Sequence, residues 1–353
     1  MELDSIIFIF FLSIFFNYFL IKKYKFFFLK DIADTEFNKP QAFHEFPAIR
    51  SGGITILFFL LLFSIFYGNK NNYFLSIIML SIIFFIIGFL EDIKIHTKPY
   101  IRLFYLLIAG FLIIHYFDIK VLNTQVAFLN NIILSNKFFS IIFVCFCLLF
   151  ITNGCNFIDG FNGLLILHTI IILGVLYFTN NYNNNNLYIS NLILFFISIF
   201  ISILFFNFPK AKIFLGDSGA YITGIILSIT TIQISNLNKE ITPFFFACLL
   251  FYIFFEVIFS FFRKVFTENK SPFKPDKKHL HMLIYKSLNK NIKNNLKANF
   301  LTSLIINITY LIIIFPTFFF YKEKNFCKTY FSFLIIFYLF IYFFLEKKDL
   351  KKN

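Results

Sequence analysis

Long apolar runs alternate along the chain with short polar breaks, and the runs have the length that a bilayer demands. A membrane-spanning helix needs about 20 apolar residues, within a working range of about 17 to 25. The runs predict eleven helices, over residues 5–21, 52–67, 73–90, 101–117, 138–151, 161–178, 187–206, 218–234, 243–262, 299–321 and 329–345. The fifth run is short. The first opens with MELD and lacks a small-residue cleavage site, so it reads as a retained span and not a signal peptide. The expected fold class is an all-α polytopic membrane protein of about eleven transmembrane helices, with residues 1–353 forming one integral membrane domain. The tract NNYNNNN over residues 180–186 reads as a low-complexity connector with no specific role.

Composition agrees: 59% of residues are hydrophobic, 14% are charged and the mean hydropathy is +0.79, outside the soluble range. The 62 phenylalanines, with the excess of Ile, Lys and Asn, read as compositional drift, so Phe-rich runs carry no functional weight. A net charge of +14 suits nucleic acid less well than a cytoplasmic membrane face, because the lysines cluster in the polar breaks. An odd number of spans puts the termini on opposite sides. With the N-terminus outside and the C-terminus cytoplasmic, 25 of the 32 Lys and Arg residues fall in inner segments, an asymmetry that supports that orientation. The five cysteines show neither a disulfide framework nor a zinc spacing.

The polar residues that abut apolar runs then sort themselves. Glu91 and Asp92 close the third run in GFLEDIK; Asn153, Asn156, Asp159 and Asn162 lie in NGCNFIDGFNGL; Asp217 lies in NFPKAKIFLGDSGAYITG. His279 and His281 lie in the basic segment SPFKPDKKHLHMLIY. All fall on the inner face, although the Lys/Arg count that set the orientation used none of them. Singly, each has an ordinary explanation: an acid at a helix end can be solvated, Asn and Gly make turns, and loop histidines face water. Together, hard oxygen donors flanked by Lys, Arg and His suit Mg²⁺ and a polyphosphate, and so phosphoryl transfer at a membrane surface.

Those segments, with HEFPAIRSGGI over His44 to Ile54, resemble the polyprenyl-phosphate N-acetylhexosamine-1-phosphate transferases, glycosyltransferase family 4, from about His44 to Tyr285. The superfamily includes lipid-linked GlcNAc-1-phosphate transferases and the phospho-MurNAc-pentapeptide translocase. The resemblance implies an active site built from cytoplasmic loops 22–51, 91–100, 152–160, 207–217 and 263–298. It implies Asp217 and Asn156 as ligands of Mg²⁺, with Mn²⁺ an alternative, and Asp92, Glu91 and Asp159 as the catalytic acids. It further implies that Lys212, Phe214, Asn162, Arg263, His279, His281, His44 and Arg50 meet the substrates. These would be undecaprenyl phosphate and a UDP-N-acetylhexosamine, UDP-GlcNAc first, at the bacterial inner membrane, with no nucleic acid and with a homodimer left open.

Three positions depart from the family's pattern: Glu91 replaces the first Asp of a pair, Asn162 stands where some relatives have an acid, and Met282 replaces a further His. With SPFKPD, the last points toward the GlcNAc-1-phosphate branch. The rival classes are a multispan transporter or lipid flippase, which would place acids near the membrane midplane and show inverted repeats, and an inactive structural subunit of a glycan-assembly complex.

Overall fold

The computed structural model describes residues 3–24, 32–34, 47–67, 71–183, 186–274 and 276–350. Each of the eleven apolar runs falls on a helix. These are α1 (Leu3–Lys23), α2 (Gly52–Tyr67), α3 (Asn72–Asp92), α4 (Pro99–Phe117), α6 (Lys137–Ile158), α7 (Leu164–Asn183), α8 (Leu187–Asn207), α9 (Gly216–Leu237), α10 (Pro243–Phe262), α12 (Asn295–Phe319) and α13 (Lys324–Leu350). Two short helices, α5 (Ala127–Ser135) and α11 (Leu280–Ile292), occupy polar connections. Among the described residues ten helices are long and apolar enough to cross a membrane, and Gly52–Phe66 is a shorter apolar one. The protein is a multi-pass, all-helical membrane protein.

Burial separates the middle of the bundle from its rim. α9 packs against α3, α6, α2 and α7, and 83% of its apolar window is buried; for α1 and for α13 the share is 17%. Phe8, Phe11 and Phe15 of α1 and Phe340, Phe343 and Phe344 of α13 are exposed, as side chains facing lipid must be. The central helix affords its tight packing with small residues, since helices in lipid associate through close backbone approach. A Cβ on Gly88 of α3 would lie 2.5 Å from the Ser218 nitrogen of α9.

Three short strands gather one end of the bundle: β1 (Ala33–Asp34), β2 (Ala48–Arg50) and β3 (Ile213–Phe214), in the order β1-β2-β3. β2 runs antiparallel to β1 and parallel to β3, in a register that sets Arg50 beside Phe214. The strand pair therefore joins the start of α2 to the start of α9.

Four expectations need correction. Residues 152–158 are the last turns of α6 and not a loop. Thr152 Oγ1 and Asn153 Nδ2 donate to the carbonyls of Leu148 and Leu149, four residues back, so these polar side chains are satisfied within the helix. Residues 263–267 continue α10 as a π-helical turn, and 280–292 form α11. Asp217 sits in the first turn of α9 and not before it. The asparagine tract has a job: buried Asn180 donates to Ser190 Oγ (2.7 Å) and to the Asn186 carbonyl (3.0 Å), tying α7 to α8.

The close α3–α9 approach predicts that Gly88→Val lowers the thermal unfolding midpoint in detergent, at a cost of about 1–3 kcal/mol from overpacking. Gly174→Ala, where a Cβ meets nothing within 4 Å, should leave that midpoint nearly unchanged.

Candidate active site

Asp92 is the last residue of α3 and is almost fully buried. Its carboxylate accepts hydrogen bonds from the backbone N–H of Asp217 (2.9 Å) and of Ser218 (3.1 Å), and from Ser218 Oγ (2.6 Å). The first N–H groups of a helix lack intrahelical partners and carry the positive end of its dipole. Leu215, at the cap position of α9, makes no side-chain cap bond, so Asp92 supplies the acceptor from a different helix. Gly216, at φ +75°, turns the chain into α9, and a Cβ there would lie 2.5 Å from Asp92 Oδ1.

Above this joint opens a cavity of about 850 Å³, bounded by α3, α4, α6, α9, α10 and the loop after it. A polar cluster lines part of it: Arg50, Glu91, Arg102, Asn156, Asp159 and Asp217. Apolar side chains line it as well, Leu103, Leu106 and Leu107 of α4, Phe146 and Phe150 of α6, and Ile258 and Phe261 of α10.

Arginines answer the acids in the polar cluster. Arg102 Nη1 lies 2.9 Å from Asp217 Oδ2 and 3.6 Å from Glu91 Oε1. Arg50 pairs with Asp34 at 2.7 Å and lies 3.8 Å from Asp92 Oδ1. Glu91 is pinned by the backbone N–H (2.7 Å) and hydroxyl (2.8 Å) of Thr97, with His96 Nδ1 at 3.3 Å. Asp159, just beyond α6, has its carboxyl held well above the usual carboxylate range, by burial first and then by the charges of Asp217 and Asp92; Arg50 opposes them. Three acids thus raise the demand for a cation at one spot.

The fold brings seven of the expected residues to the cavity: Arg50, Glu91, Asn156, Asp159, Phe214, Asp217 and His279. Asp92 lies beneath, committed to α9. Asn162 is buried, donating to the Pro209 carbonyl (2.8 Å) from its side chain and to Asn299 Oδ1 (2.9 Å) from its backbone. His281 is fully buried, 3.3 Å from the Tyr252 hydroxyl, and burial pushes its imidazole down to about 3. Arg263 is buried with Nη1 on Glu268 and Nη2 on Asp276, each at 2.8 Å, so it clamps the loop after α10 and does not line the cavity. Lys212 is exposed and stands outside the lining. His44 lies outside the described residues.

Sequence reasoning missed Arg102, Lys264 and Glu256. The first two line the cavity, and Glu256 is buried behind it. A signal existed for Glu256, a lone acid in the apolar run FFEVIFS.

Known proteins match the stretch of chain that carries most of these acids. The family described as Glycosyl transferase family 4 matches residues 74–235, a stretch holding Glu91, Asp92, Asn156, Asp159 and Asp217. The match covers somewhat under half of the chain, and over that stretch the chain resembles this family. It is 32% identical over 218 residues to the phospho-N-acetylmuramoyl-pentapeptide-transferase of Vesicomyosocius okutanii, covering 52% of this chain and 58% of that protein. It is 27% identical over 243 residues to the undecaprenyl-phosphate alpha-N-acetylglucosaminyl 1-phosphate transferase of Thermotoga maritima, covering 68% of each. A probable undecaprenyl-phosphate N-acetylglucosaminyl 1-phosphate transferase of Bacillus subtilis is 32% identical over 141 residues, covering 37% of this chain and 36% of that protein. The chain spans 58% and 60% of the length of the first two phospho-N-acetylmuramoyl-pentapeptide-transferases it matches. Relatives from both branches of the glycosyltransferase superfamily therefore align with it. The matched stretch ends before α10, so Glu256, Lys264 and His279 are contributed by a part outside it.

Asp92→Ala would leave three donors at the start of α9 without their acceptor, a loss of about 3 kcal/mol. Asp217→Ala, which removes only a partly exposed pairing with Arg102, should change stability by under about 1 kcal/mol. Thermal unfolding of the two variants in detergent checks the contrast.

Proposed function

We propose that the protein transfers an N-acetylhexosamine-1-phosphate from a UDP-sugar, UDP-GlcNAc first, to undecaprenyl phosphate, releasing UMP and leaving undecaprenyl-diphosphate-sugar. This reading makes it an initiator of cell-surface glycan assembly at the bacterial inner membrane, with the site on the cytoplasmic face that the Lys/Arg asymmetry assigns. The observation that carries it is the mixed lining of one cavity: clustered acids and arginines together with apolar side chains of α4, α6 and α10. A phosphate on a long isoprenoid tail has the same two characters.

The donor set fits a hard divalent cation. Carboxylate and amide oxygens of Asp217, Asp159, Glu91 and Asn156 all belong to the cavity lining. Among the described residues no three His, Cys, Asp or Glu side chains form a ready cage. Mg²⁺ does not require one, since it is usually bound through one or two carboxylates plus substrate phosphates. Asp217 and Asn156 would hold it, and when bound it would neutralise the pyrophosphate and the leaving UMP.

The chain's own groups then have separable tasks. Arg102 and Arg50 supply positive charge and donors to the phosphates, His279 stands beside them in the lining, and Phe214 offers an aromatic face to uracil. A phosphate monoester loses its second proton near pH 6, so the lipid phosphate reaches the site largely as a dianion and needs no strong base. Asp92, buried and committed to α9, aims Asp217 and does not need to take a proton. The phosphate oxygen attacks the β-phosphorus of the UDP-sugar. The bond from that phosphorus to the bridging oxygen breaks, and UMP leaves with the oxygen. Catalysis lies in alignment and charge neutralisation.

Purified protein given undecaprenyl phosphate, Mg²⁺ and a panel of UDP-N-acetylhexosamines should release UMP and form a lipid-linked sugar. Turnover should vanish with EDTA and return with Mg²⁺ or Mn²⁺. Asp217→Ala should insert normally and lack turnover. Folded wild-type protein that is silent across the panel would overturn the reading.

A further inference from the structure

A second polar centre lies behind the cavity wall, in the part of the chain beyond the family match. Glu256 of α10 is almost fully buried, in an otherwise apolar helix. Its Oε1 lies 2.8 Å from His279 Nδ1 and accepts from the Leu280 backbone N–H at 3.3 Å; its Oε2 accepts from the Tyr338 hydroxyl of α13 at 2.7 Å. A buried carboxylate is costly unless such partners surround it. Of these partners, His279 is the one that also lines the cavity.

His279 is held from every side. It caps the start of α11, the edge of its ring meets Phe157 of α6 at a centroid distance of 5.1 Å, and it stacks in parallel on His281 at 5.4 Å. His281 hydrogen-bonds Tyr252 and, with its imidazole pushed down by burial, adds no positive charge to the stack. Asp276 Oδ1 stands 3.8 Å from His279 Nε2, but the other oxygen of that carboxylate is taken by Arg263 (2.8 Å) and Lys264 (3.3 Å). With Nδ1 bound to Glu256, the Nε2 edge is the part of the ring left for a ligand.

We propose that Glu256 is a positioning residue of the transfer site: it anchors the Nδ1 proton of His279, fixes the plane of the ring, and so presents the Nε2 edge to the nucleotide sugar. This rests on the transferase reading above. The metal-site and triad histidines of other proteins show that the partner of one ring nitrogen fixes what the other can do. Tyr338 makes α13 part of the device, because its hydroxyl holds the second carboxylate oxygen.

The test uses full-length protein labelled with ¹⁵N-histidine in micelles, with the His279 signals assigned by difference from His279→Gln. In the wild type the His279 Nδ1 proton should be hydrogen-bonded and slow to exchange with water. Glu256→Gln should weaken that bond, move the Nδ1 signal and speed its exchange, with KM for the UDP-sugar raised about tenfold while kcat changes less. Tyr338→Phe, which frees one carboxylate oxygen of Glu256, should also move the Nδ1 signal and raise KM by a smaller amount, and it carries the test if Glu256→Gln fails to fold. A His279 Nδ1 signal and a KM unchanged in both variants would overturn the inference. A wild type without turnover would instead overturn the transferase reading, and the histidine signals would still decide this one.

Discussion

The site hangs on one hydrogen-bonded joint, the Asp92 carboxylate against the first turn of α9. It joins two helices that must already pack at backbone distance, and it supplies the acceptor that Leu215 cannot. Gly216 is the condition for the joint, since the left-handed turn and the proximity of the carboxylate both exclude a side chain there. With that joint made, Asp217 is lifted to the cavity floor. The parallel pairing of β2 with β3 then sets Arg50 and Phe214 beside it.

The electrostatics of the cavity follow from its depth. Acids brought this close, partly out of water, repel one another unless cations answer them, and Arg102 and Arg50 do so across short distances. The loop after α10 is closed by two neighbours in sequence. Arg263 spends both terminal nitrogens on Glu268 and Asp276, and Lys264, although part of the cavity lining, donates to the carbonyls of Pro272 and Lys274 and lies 3.3 Å from Asp276. A charge count over that loop overstates the cations free to meet a ligand, because both are spent on holding the loop.

Much of the fold was legible because lipid imposes a length rule that survives compositional drift, and all eleven apolar runs fall on helices. The acids at the ends of α3, α6 and α9 were legible as well, since a carboxylate beside an apolar run is costly and stands out. What failed was the local state of polar residues. Asn153 and Asn156 look like turn formers, yet they are helical, because Gly154 lets α10 pack against α6 and Asn153 bonds within the helix. Asn162, His281 and Arg263 carry the right chemistry, but each is consumed by a buried partner, and burial at single-residue resolution is a property of packing and not of pattern. Arg102 lay inside a span and Glu256 inside another, where a search confined to the polar breaks does not look.

The Asp92 joint also bears on how the protein is made. Its two halves are 125 residues apart in the chain. At a synthesis rate of about 5–20 residues per second, α3 waits in the bilayer for roughly 6 to 25 seconds before its partner exists. During that interval its terminal carboxylate must stay at the water-facing boundary. The centre of the bundle is thus closed late in translation, and a nascent chain halted before α9 would carry the acidic motif of α3 without any site to put it in.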